Sequence, residues 1–136
     1  QTLPAVGVPH GMNLWTAQTR DTEEKCVAPY YYADSLLQGF RNSHWIVGGC
    51  TQDYGSMTLH VMGGGLRTSP ESRATLLERS SEVARPEYYS VYLPDEKLKT
   101  EMTGLSRAAI FRFSYDADGR GHLVVNPNSD EGQGFC

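Results

Sequence analysis

The chain has 136 residues, of which 39% are hydrophobic and 21% charged, and a formal net charge of −4. A chain of this length buries one hydrophobic core, so we expect residues 1–136 to form a single domain or part of one. The acidic balance and the scattered Lys and Arg residues exclude a basic nucleic-acid-binding surface. The apolar runs fall far short of the roughly 20 residues that cross a bilayer, which excludes a membrane-spanning helix.

The N-terminal part of the chain has few regular patterns. Residues 11–16 predict a short strand after a turn at Pro9. The charged residues 21–25 predict an exposed loop, and Tyr30–Tyr32 has the high β propensity of aromatic residues. The stretch 39–55 is rich in Gly, Asn and aromatic residues and has no clear period, so we expect an ordered loop there.

The middle of the chain predicts one strand and one short helix. Residues 54–62 alternate, with Met57, Leu59 and Val61 on one face, and three glycines at 63–65 end this strand. Ser69 followed by Pro70 and Glu71 is typical of a helix start. We expect the helix to continue to Arg79 as an exposed connection and to end before Pro86.

The C-terminal third predicts four consecutive strands. They cover residues 88–93, 97–103, 107–115 and 122–125, and turn residues at 94–96 and 116–119 separate them. Short strands at a spacing of about ten residues indicate an antiparallel meander. The predicted fold class is therefore all-β, an antiparallel β-sandwich with at most one short helix.

Cysteine usage and the two chain ends suggest an exported fragment. Cys26, Cys50 and Cys136 are an odd number, which suggests one disulfide together with a thiol that is either free or separated from its missing partner. Their spacing is not that of a zinc site. The chain starts at Gln1 and stops at Cys136 without a structural signal, so we expect either a mature end or a truncation at the start and a fragment overall.

Four groups of residues resemble, in the same order, the N-terminal domain of family 92 glycoside hydrolases. They are VPHGM at 8–12, GFRNSHWIVGGCTQDYG at 39–55, EVARPEYY at 82–89, and Glu101-Met102-Thr103 with Arg107 and Arg112-Phe113. Two departures stand out: His10 replaces an aromatic residue, and the loop at 45–49 is bulkier than the usual hydroxyl-rich one. The resemblance covers most of the chain and implies part of a supersandwich-type domain that is incomplete at both ends.

The resemblance also implies a function for the longer protein. The implied activity is that of a calcium-dependent, inverting exo-α-mannosidase. Its carboxylate pair and its calcium ligands would lie mainly in a helical domain outside these 136 residues. We expect this segment to wall the sugar pocket, to hold no catalytic residue and to bind no metal. The implied partners are mannose-containing glycans and the helical domain of the same polypeptide, with no nucleic acid and no membrane. The implied location is secreted or extracytoplasmic, which agrees with the cysteines.

The candidate substrate-binding residues lie in and beside the loop that carries the resemblance. Trp45 can stack on a pyranose ring or pack in the core. His44 can form a hydrogen bond with a sugar hydroxyl or have a purely structural role. Asp53 can face the pocket or tie the loop backbone, and Cys50 can line the pocket or pair with Cys26. Gln52 is a further polar candidate, together with Asn42.

Two other roles stay open at this point. A non-catalytic carbohydrate-binding module would share the sandwich and its aromatic loop, and a purely structural or assembly domain would use the loop for packing. The carboxylates of Asp34, Asp53, Glu82 and Glu101 are scattered along the sequence and do not predict an independent active site. Asp116 and Asp118 beside Gly119 predict a plain turn, because the other ligands of a calcium loop are missing.

Overall fold

The structure is a computed structural model that describes residues 3–19, 28–44 and 57–127. These residues form ten β-strands and one short α-helix, which confirms the predicted all-β class. In chain order the elements are β1 (Trp15–Gln18), β2 (Leu36–Leu37), β3 (Gly39–Asn42), β4 (Thr58–Gly63), α1 (Pro70–Arg73), β5 (Thr75–Leu76), β6 (Glu78–Arg85), β7 (Tyr88–Leu93), β8 (Leu98–Gly104), β9 (Ala109–Tyr115) and β10 (Gly121–Asn126).

Two four-stranded antiparallel sheets make the sandwich. Sheet 1 has the strand order β1-β3-β4-β10, and sheet 2 is the meander β6-β7-β8-β9. A two-stranded sheet of β2 and β5 lies beside them. The hairpin between β7 and β8 turns at Pro94–Lys97, close to where the turn residues predict it.

The hydrophobic core lies between sheets 1 and 2. Sheet 1 contributes Trp15, Ala17, Phe40 and Val61, and sheet 2 contributes Tyr89, Val91, Leu93, Leu98 and Met102. Phe111 on β9 packs edge-on against Trp15, with 4.9 Å between the ring centroids, and lies 5.9 Å from Phe40. Each fully buried large apolar side chain contributes about 1.5–3 kcal/mol, so this layer dominates the stability of the domain.

The second face of sheet 1 is also buried, although its side chains are polar. Thr58 donates to Gln18 Oε1 at 3.0 Å, and Gln18 Nε2 donates to Gln38 Oε1 at 3.3 Å. Arg73, which is fully buried on α1, donates from Nε to the carbonyl of Gln38 at 2.9 Å and from Nη1 to that of Thr68 at 2.9 Å. The segment around α1 therefore covers sheet 1 through hydrogen bonds between buried polar groups.

The predicted helix is shorter than the sequence suggests. Ser69 caps it as predicted, accepting from the amide of Ser72 at 3.3 Å, with Pro70 in the first turn. The helix ends at Arg73, and the extension to Arg79 is wrong. The residues after Ala74 instead pair with β2 and β7, and these tertiary hydrogen bonds outweigh the weak local preference for a helix.

Several strand predictions also need correction. Residues Gly39–Asn42 form a strand of sheet 1 and not a loop, and they lack an alternating pattern because all four are buried. The strand predicted at 11–16 starts only at Trp15. β10 leaves the meander and pairs with β4, so the fourth strand of sheet 2 is β6.

Tyr30–Tyr32 forms no strand despite its high β propensity. The Thr19 hydroxyl accepts from the amide of Tyr31 at 2.6 Å, and the carbonyl of Tyr31 accepts from the amide of Asp34 at 3.0 Å. The amide and the carbonyl of Tyr31 are thus bonded to a side chain and to a turn, and not to a neighbouring strand. The chain therefore turns at this point.

Candidate functional site

Of the five predicted substrate-binding residues, the structure describes His44 alone. It follows β3 by two residues, and its side chain is exposed. Trp45, Cys50, Gln52 and Asp53 belong to the segment 45–56, which lies outside the described residues, as do Cys26 and Cys136. Their proposed roles therefore stay predictions.

His44 and Met57, the described residues that flank the segment 45–56, lie at the same end of sheet 1. Trp15 at the start of β1 lies opposite Asn42, Arg41 lies opposite Thr58, and Thr58 lies opposite Asn126 at the end of β10. We call this end of the sheet, marked by these paired residues, the loop end. His44 lies there, at the point where the chain leaves β3 for the segment that carries the other four candidates.

A hydrogen-bonded base fixes the backbone under His44. Asn13 Oδ1 accepts from Trp15 Nε1 at 3.0 Å and from Asn42 Nδ2 at 2.5 Å. The amide of Ser43 donates to the carbonyl of Leu14 at 2.8 Å, and the amide of Asn42 donates to that of Met57 at 2.9 Å. Asn42 is only 9% exposed, so it holds the base of the loop and does not face a ligand.

Asn13 is the residue at this end that sequence analysis missed. Its Nδ2 is buried and has no hydrogen-bond partner among the described residues. A buried amide donor without a partner costs about 1–3 kcal/mol, so it is a group that a further acceptor would satisfy. The available signal was its position two residues before Trp15, where β1 begins, and this position alone does not distinguish a binding residue from a structural one.

The EVARPEYY motif builds a network around one carboxylate. Glu82 accepts from Tyr30 at 2.9 and 3.0 Å, from Tyr89 at 2.7 Å and from Arg79 Nη1 at 2.8 Å. Arg79 also bonds the Tyr30 hydroxyl and lies over the rings of Tyr30 and Tyr32, at 5.2 and 4.7 Å from their centroids. We call these four residues, Tyr30, Arg79, Glu82 and Tyr89, the Glu82 network.

The electrostatics of the Glu82 network favour a structural role. Burial, followed by the charge and hydrogen bonds of Glu82, raises the pKa of Tyr30 and of Tyr89 well above the usual value. Both hydroxyls therefore stay protonated and donate to Glu82. The carboxylate of Glu82 accepts from two hydroxyls and a guanidinium, so its oxygens are occupied by contacts within the fold.

The motif that contains Glu101 and Arg112 forms a smaller network on the outer face of sheet 2. Glu101 accepts from Tyr88 at 2.6 Å and from Arg112 Nε at 2.8 Å, and Lys99 Nζ lies 3.4 Å away. The hydrogen bond from Tyr88, followed by the charges of Arg112 and Lys99, lowers the pKa of Glu101. These contacts join β7, β8 and β9 side by side, so this motif also supports the fold.

The turn after β9 has its own hydrogen bond. Asp116 accepts from the Tyr92 hydroxyl, and its amide donates to the carbonyl of Lys97 at 2.9 Å. In the described ranges no three His, Cys, Asp or Glu side chains are grouped closely enough to hold a metal ion. Nor does any helix there have the length and apolar character needed to cross a membrane.

Comparison with known proteins identifies the family. The glycosyl hydrolase family 92 N-terminal domain matches residues 1–134. The family GH92 inverting mannosidase BT2199 from Bacteroides thetaiotaomicron is 35% identical over 91% of this chain, with a TM-score of 0.80. No protein with a curated description matches significantly.

More distant structures share the fold. The family GH92 α-mannosidase BT3965 from the same organism is 22% identical over 93% of this chain, with a TM-score of 0.78. The GH92 family glycosyl hydrolase ccman5 is 23% identical over 90%, with a TM-score of 0.74. The chain spans only 16% of the length of the first of these three proteins and 18% of the other two. The family match and the 35% identity together show that this chain belongs to the N-terminal domain of family 92 glycoside hydrolases.

Proposed function

We propose that this chain is a part of the N-terminal β-sandwich of a secreted, inverting exo-α-mannosidase that removes terminal α-linked mannose from glycans. The observation that carries the proposal is the 35% identity, over 91% of the chain, to an inverting mannosidase of the same family. A relative about six times as long leaves room for a helical catalytic domain in the same polypeptide. Glycans outside the cell would be its substrates.

The loop end of sheet 1 is our proposed contact with the sugar. It carries the exposed imidazole of His44 on a backbone that the Asn13 base holds in place. An imidazole can donate to or accept from a sugar hydroxyl, and the neighbouring Trp45 offers a flat apolar face for a pyranose ring. Cys50, Gln52 and Asp53 follow in the same connection and complete the proposed wall.

Calcium, in this proposal, is held by the helical domain of the longer polypeptide. We do not assign calcium to the described residues, because no three of their His, Cys, Asp or Glu side chains are grouped, and Glu82 and Asp116 have hydrogen-bond partners of their own. Calcium prefers six to eight oxygen ligands, which these residues do not bring together. Removal of the metal should therefore leave the folding of this segment unchanged.

The test uses the longer polypeptide and an α-mannobiose. His44→Ala and Trp45→Ala should each raise KM at least about 10-fold, the effect of losing about 1.4 kcal/mol of substrate binding. His122→Ala is the matched control, because this half-buried histidine lies at the opposite end of sheet 1, across from Met62. Unchanged KM in both loop variants would overturn the sugar contact, and absence of any mannosidase activity in the native protein would overturn the function.

A further inference from the structure

Asn13 connects the hydrophobic core to the loop end of sheet 1. Its Oδ1 accepts from Trp15 Nε1 at 3.0 Å and from Asn42 Nδ2 at 2.5 Å. Trp15 is 4% exposed, and its ring packs edge-on against Phe111 in the core. One carboxamide oxygen therefore joins a core side chain, at the start of β1, to a side chain at the end of β3.

The chemistry of the indole ring fixes the orientation of the Asn13 carboxamide. An indole N–H can only donate a hydrogen bond, so the atom of Asn13 that Trp15 contacts must be the oxygen. The other end of the carboxamide is Nδ2, which has no hydrogen-bond partner among the described residues. In this part of the chain the fold thus uses the oxygen of Asn13 and not its nitrogen.

The bond between Asn13 and Asn42 lies within two residues of His44. Ser43, which directly precedes His44, donates its amide to the carbonyl of Leu14 at 2.8 Å. A backbone bond and a side-chain bond therefore hold the chain up to the residue before His44. The side-chain bond is the one that ties this end of β3 to the core, because it runs through Asn13 to Trp15.

The residues before Asn13 are attached to sheet 2. The amide of Met12 donates to the carbonyl of Ser106, in the turn between β8 and β9, at 2.9 Å. A Cβ at Gly11 would lie 3.4 Å from the Cα of Ser106, so the two turns are in close contact. Asn13 is thus held through its backbone neighbours by sheet 2 and through its side chain by Trp15, which makes it a fixed support for β3.

We propose that Asn13 is a positioning residue that holds His44, through Asn42 and the end of β3, in its orientation towards the sugar. This role rests on the proposed function, which places the sugar contact at His44. A binding side chain contributes fully only when its neighbours hold it in the binding geometry, and a small displacement loses much of its effect. An oxygen that bridges the core and the strand end provides this support.

A double-mutant cycle in the longer polypeptide, with α-mannobiose, tests the coupling. Asn13→Ala should raise KM at least about 5-fold in the native background and less than about 2-fold in the His44→Ala background, because both residues act on one contact. Equal increases in the two backgrounds would overturn the positioning role. An unchanged KM in His44→Ala would overturn the sugar contact and this role together.

Ser81→Ala is the matched control for the loss of a side chain with two hydrogen bonds. The Ser81 hydroxyl donates to the carbonyl of Glu78 at 2.7 Å and accepts from the amide of Tyr92 at 2.9 Å, but it lies on β6. We expect a lower melting temperature and an unchanged KM in this variant. An increase in KM equal to that of Asn13→Ala would contradict a specific role of Asn13.

Two further variants separate positioning from a general loss of folding. Asn13→Asp keeps an oxygen that accepts from Trp15 and Asn42 and gives up only Nδ2, so it should recover most of the affinity lost in Asn13→Ala. Asn42→Ala breaks the same bond from the side of β3 and should raise KM as Asn13→Ala does. The proposal is contradicted by a KM in Asn13→Asp as high as in Asn13→Ala, or by a native KM in Asn42→Ala.

NMR of the histidine rings reads the position of His44 without catalysis. Asn13→Ala should shift or broaden the ring signal of His44 in the 136-residue chain, whereas Ser81→Ala should leave it in place. An unchanged signal in Asn13→Ala would overturn the proposal. A shifted signal, together with a longer polypeptide that releases no mannose, would contradict the proposed function and leave the support of His44 by Asn13 intact.

Discussion

Glu82 has three hydrogen-bond partners, and they come from separate parts of the chain. Tyr30 belongs to the turn before β2, Arg79 and Glu82 belong to β6, and Tyr89 belongs to β7. Arg79 also donates to the carbonyls of Tyr32 and Asp34. The conspicuous EVARPEYY pattern is therefore explained by folding, because it attaches the 30–34 turn to the edge of sheet 2.

Glu82→Gln should destabilise the chain by about 2–4 kcal/mol, because it removes the one carboxylate, among the described residues, that contacts the buried hydroxyls and Arg79. Urea unfolding measures this loss. Glu101→Gln is the matched control, since Glu101 also bonds a tyrosine and an arginine but lies on the outer face of sheet 2. We expect a clearly smaller loss there, and equal losses would contradict a special role of the Glu82 network.

His60 gives the domain a dependence on pH. Its ring is 1% exposed, and neither nitrogen has a hydrogen-bond partner of good geometry among the described residues. Burial, followed by the positive charges of Arg73 and Arg67, lowers its pKa to about 4, and the nearby backbone of Arg73 opposes this only in part. In the unfolded chain this histidine has a pKa near 6.5. Between pH 4 and pH 6.5 the unfolded chain therefore binds a proton at His60, whereas the folded chain does not.

The free energy of unfolding should therefore fall as the pH is lowered from 6.5 to 4. The expected loss is about 2 kcal/mol at pH 5 and about 3 kcal/mol at pH 4, and it levels off below that. Urea unfolding between pH 4 and 7 measures the slope. His60→Leu removes the titrating group and should flatten this part of the profile, whatever its effect at pH 7; an unchanged slope in the variant would assign the effect to other groups.

At the scale of elements, Gly39 allows β3 to lie beside β4. Its φ is +141°, and a Cβ at this position would lie 2.6 Å from the carbonyl oxygen of Leu59 and 2.7 Å from Thr58 Cγ2. Both neighbours belong to β4, so a side chain would force the strands apart or twist the backbone. The glycine of the GF pair that opens the loop motif is thus required by strand pairing.

Gly39→Ala should cost at least about 2 kcal/mol, from backbone strain together with the loss of close strand pairing. Gly119→Ala is the control, because a Cβ at Gly119 meets nothing within 4 Å. Thermal unfolding of the two variants makes the comparison. Similar melting temperatures for both would mean that sheet 1 can adjust locally around position 39.

Local signals predicted some elements of this fold and not others. The β7–β8 hairpin was predictable, because turn residues and alternation lie within about fifteen residues of each other. β3 was not predictable from local signals, because both of its faces are buried and its sequence therefore does not alternate between apolar and polar residues. β5 was missed for a similar reason, because it pairs with β2, which is distant in sequence. β6 was missed although it pairs with the next strand, β7, because the helix start at Ser69 suggested a helix that continues to Arg79.

The candidate site was predicted less completely than the fold. His44 was selected from the sequence motif, but its position just after a strand was not predicted, and the Asn13 base under it depends on contacts between residues 29 positions apart. The motifs at 82–89 and 101–113 marked the family correctly but serve structure at these positions. Sequence similarity identified the family, whereas only geometry showed that the residues of these two motifs support the fold.

At the scale of the whole molecule, the described residues use their buried carboxylates for structure. Glu82 is paired with Arg79, Glu96 with Arg67 and Glu101 with Arg112. Glu96 also accepts from the amide of Gly63 at 2.8 Å, which joins the β7–β8 turn to the end of β4. An inverting glycosidase needs one carboxyl group as acid and another as base, about 6.5–9.5 Å apart, and both must reach the substrate.

The 136-residue chain alone should therefore hydrolyse α-mannobiose at least about 10³-fold more slowly than the longer polypeptide, because we propose that both carboxyl groups of the catalytic pair lie in the helical domain. Release of mannose by the two proteins at equal concentration measures the ratio, and circular dichroism confirms that the shorter one is folded. Comparable rates would mean that these 136 residues contain the catalytic pair, and the search would move to Asp53 and the segment around it. A folded, inactive chain would instead place catalysis in the remaining five sixths of the polypeptide, with the loop end of sheet 1 as a wall of the site.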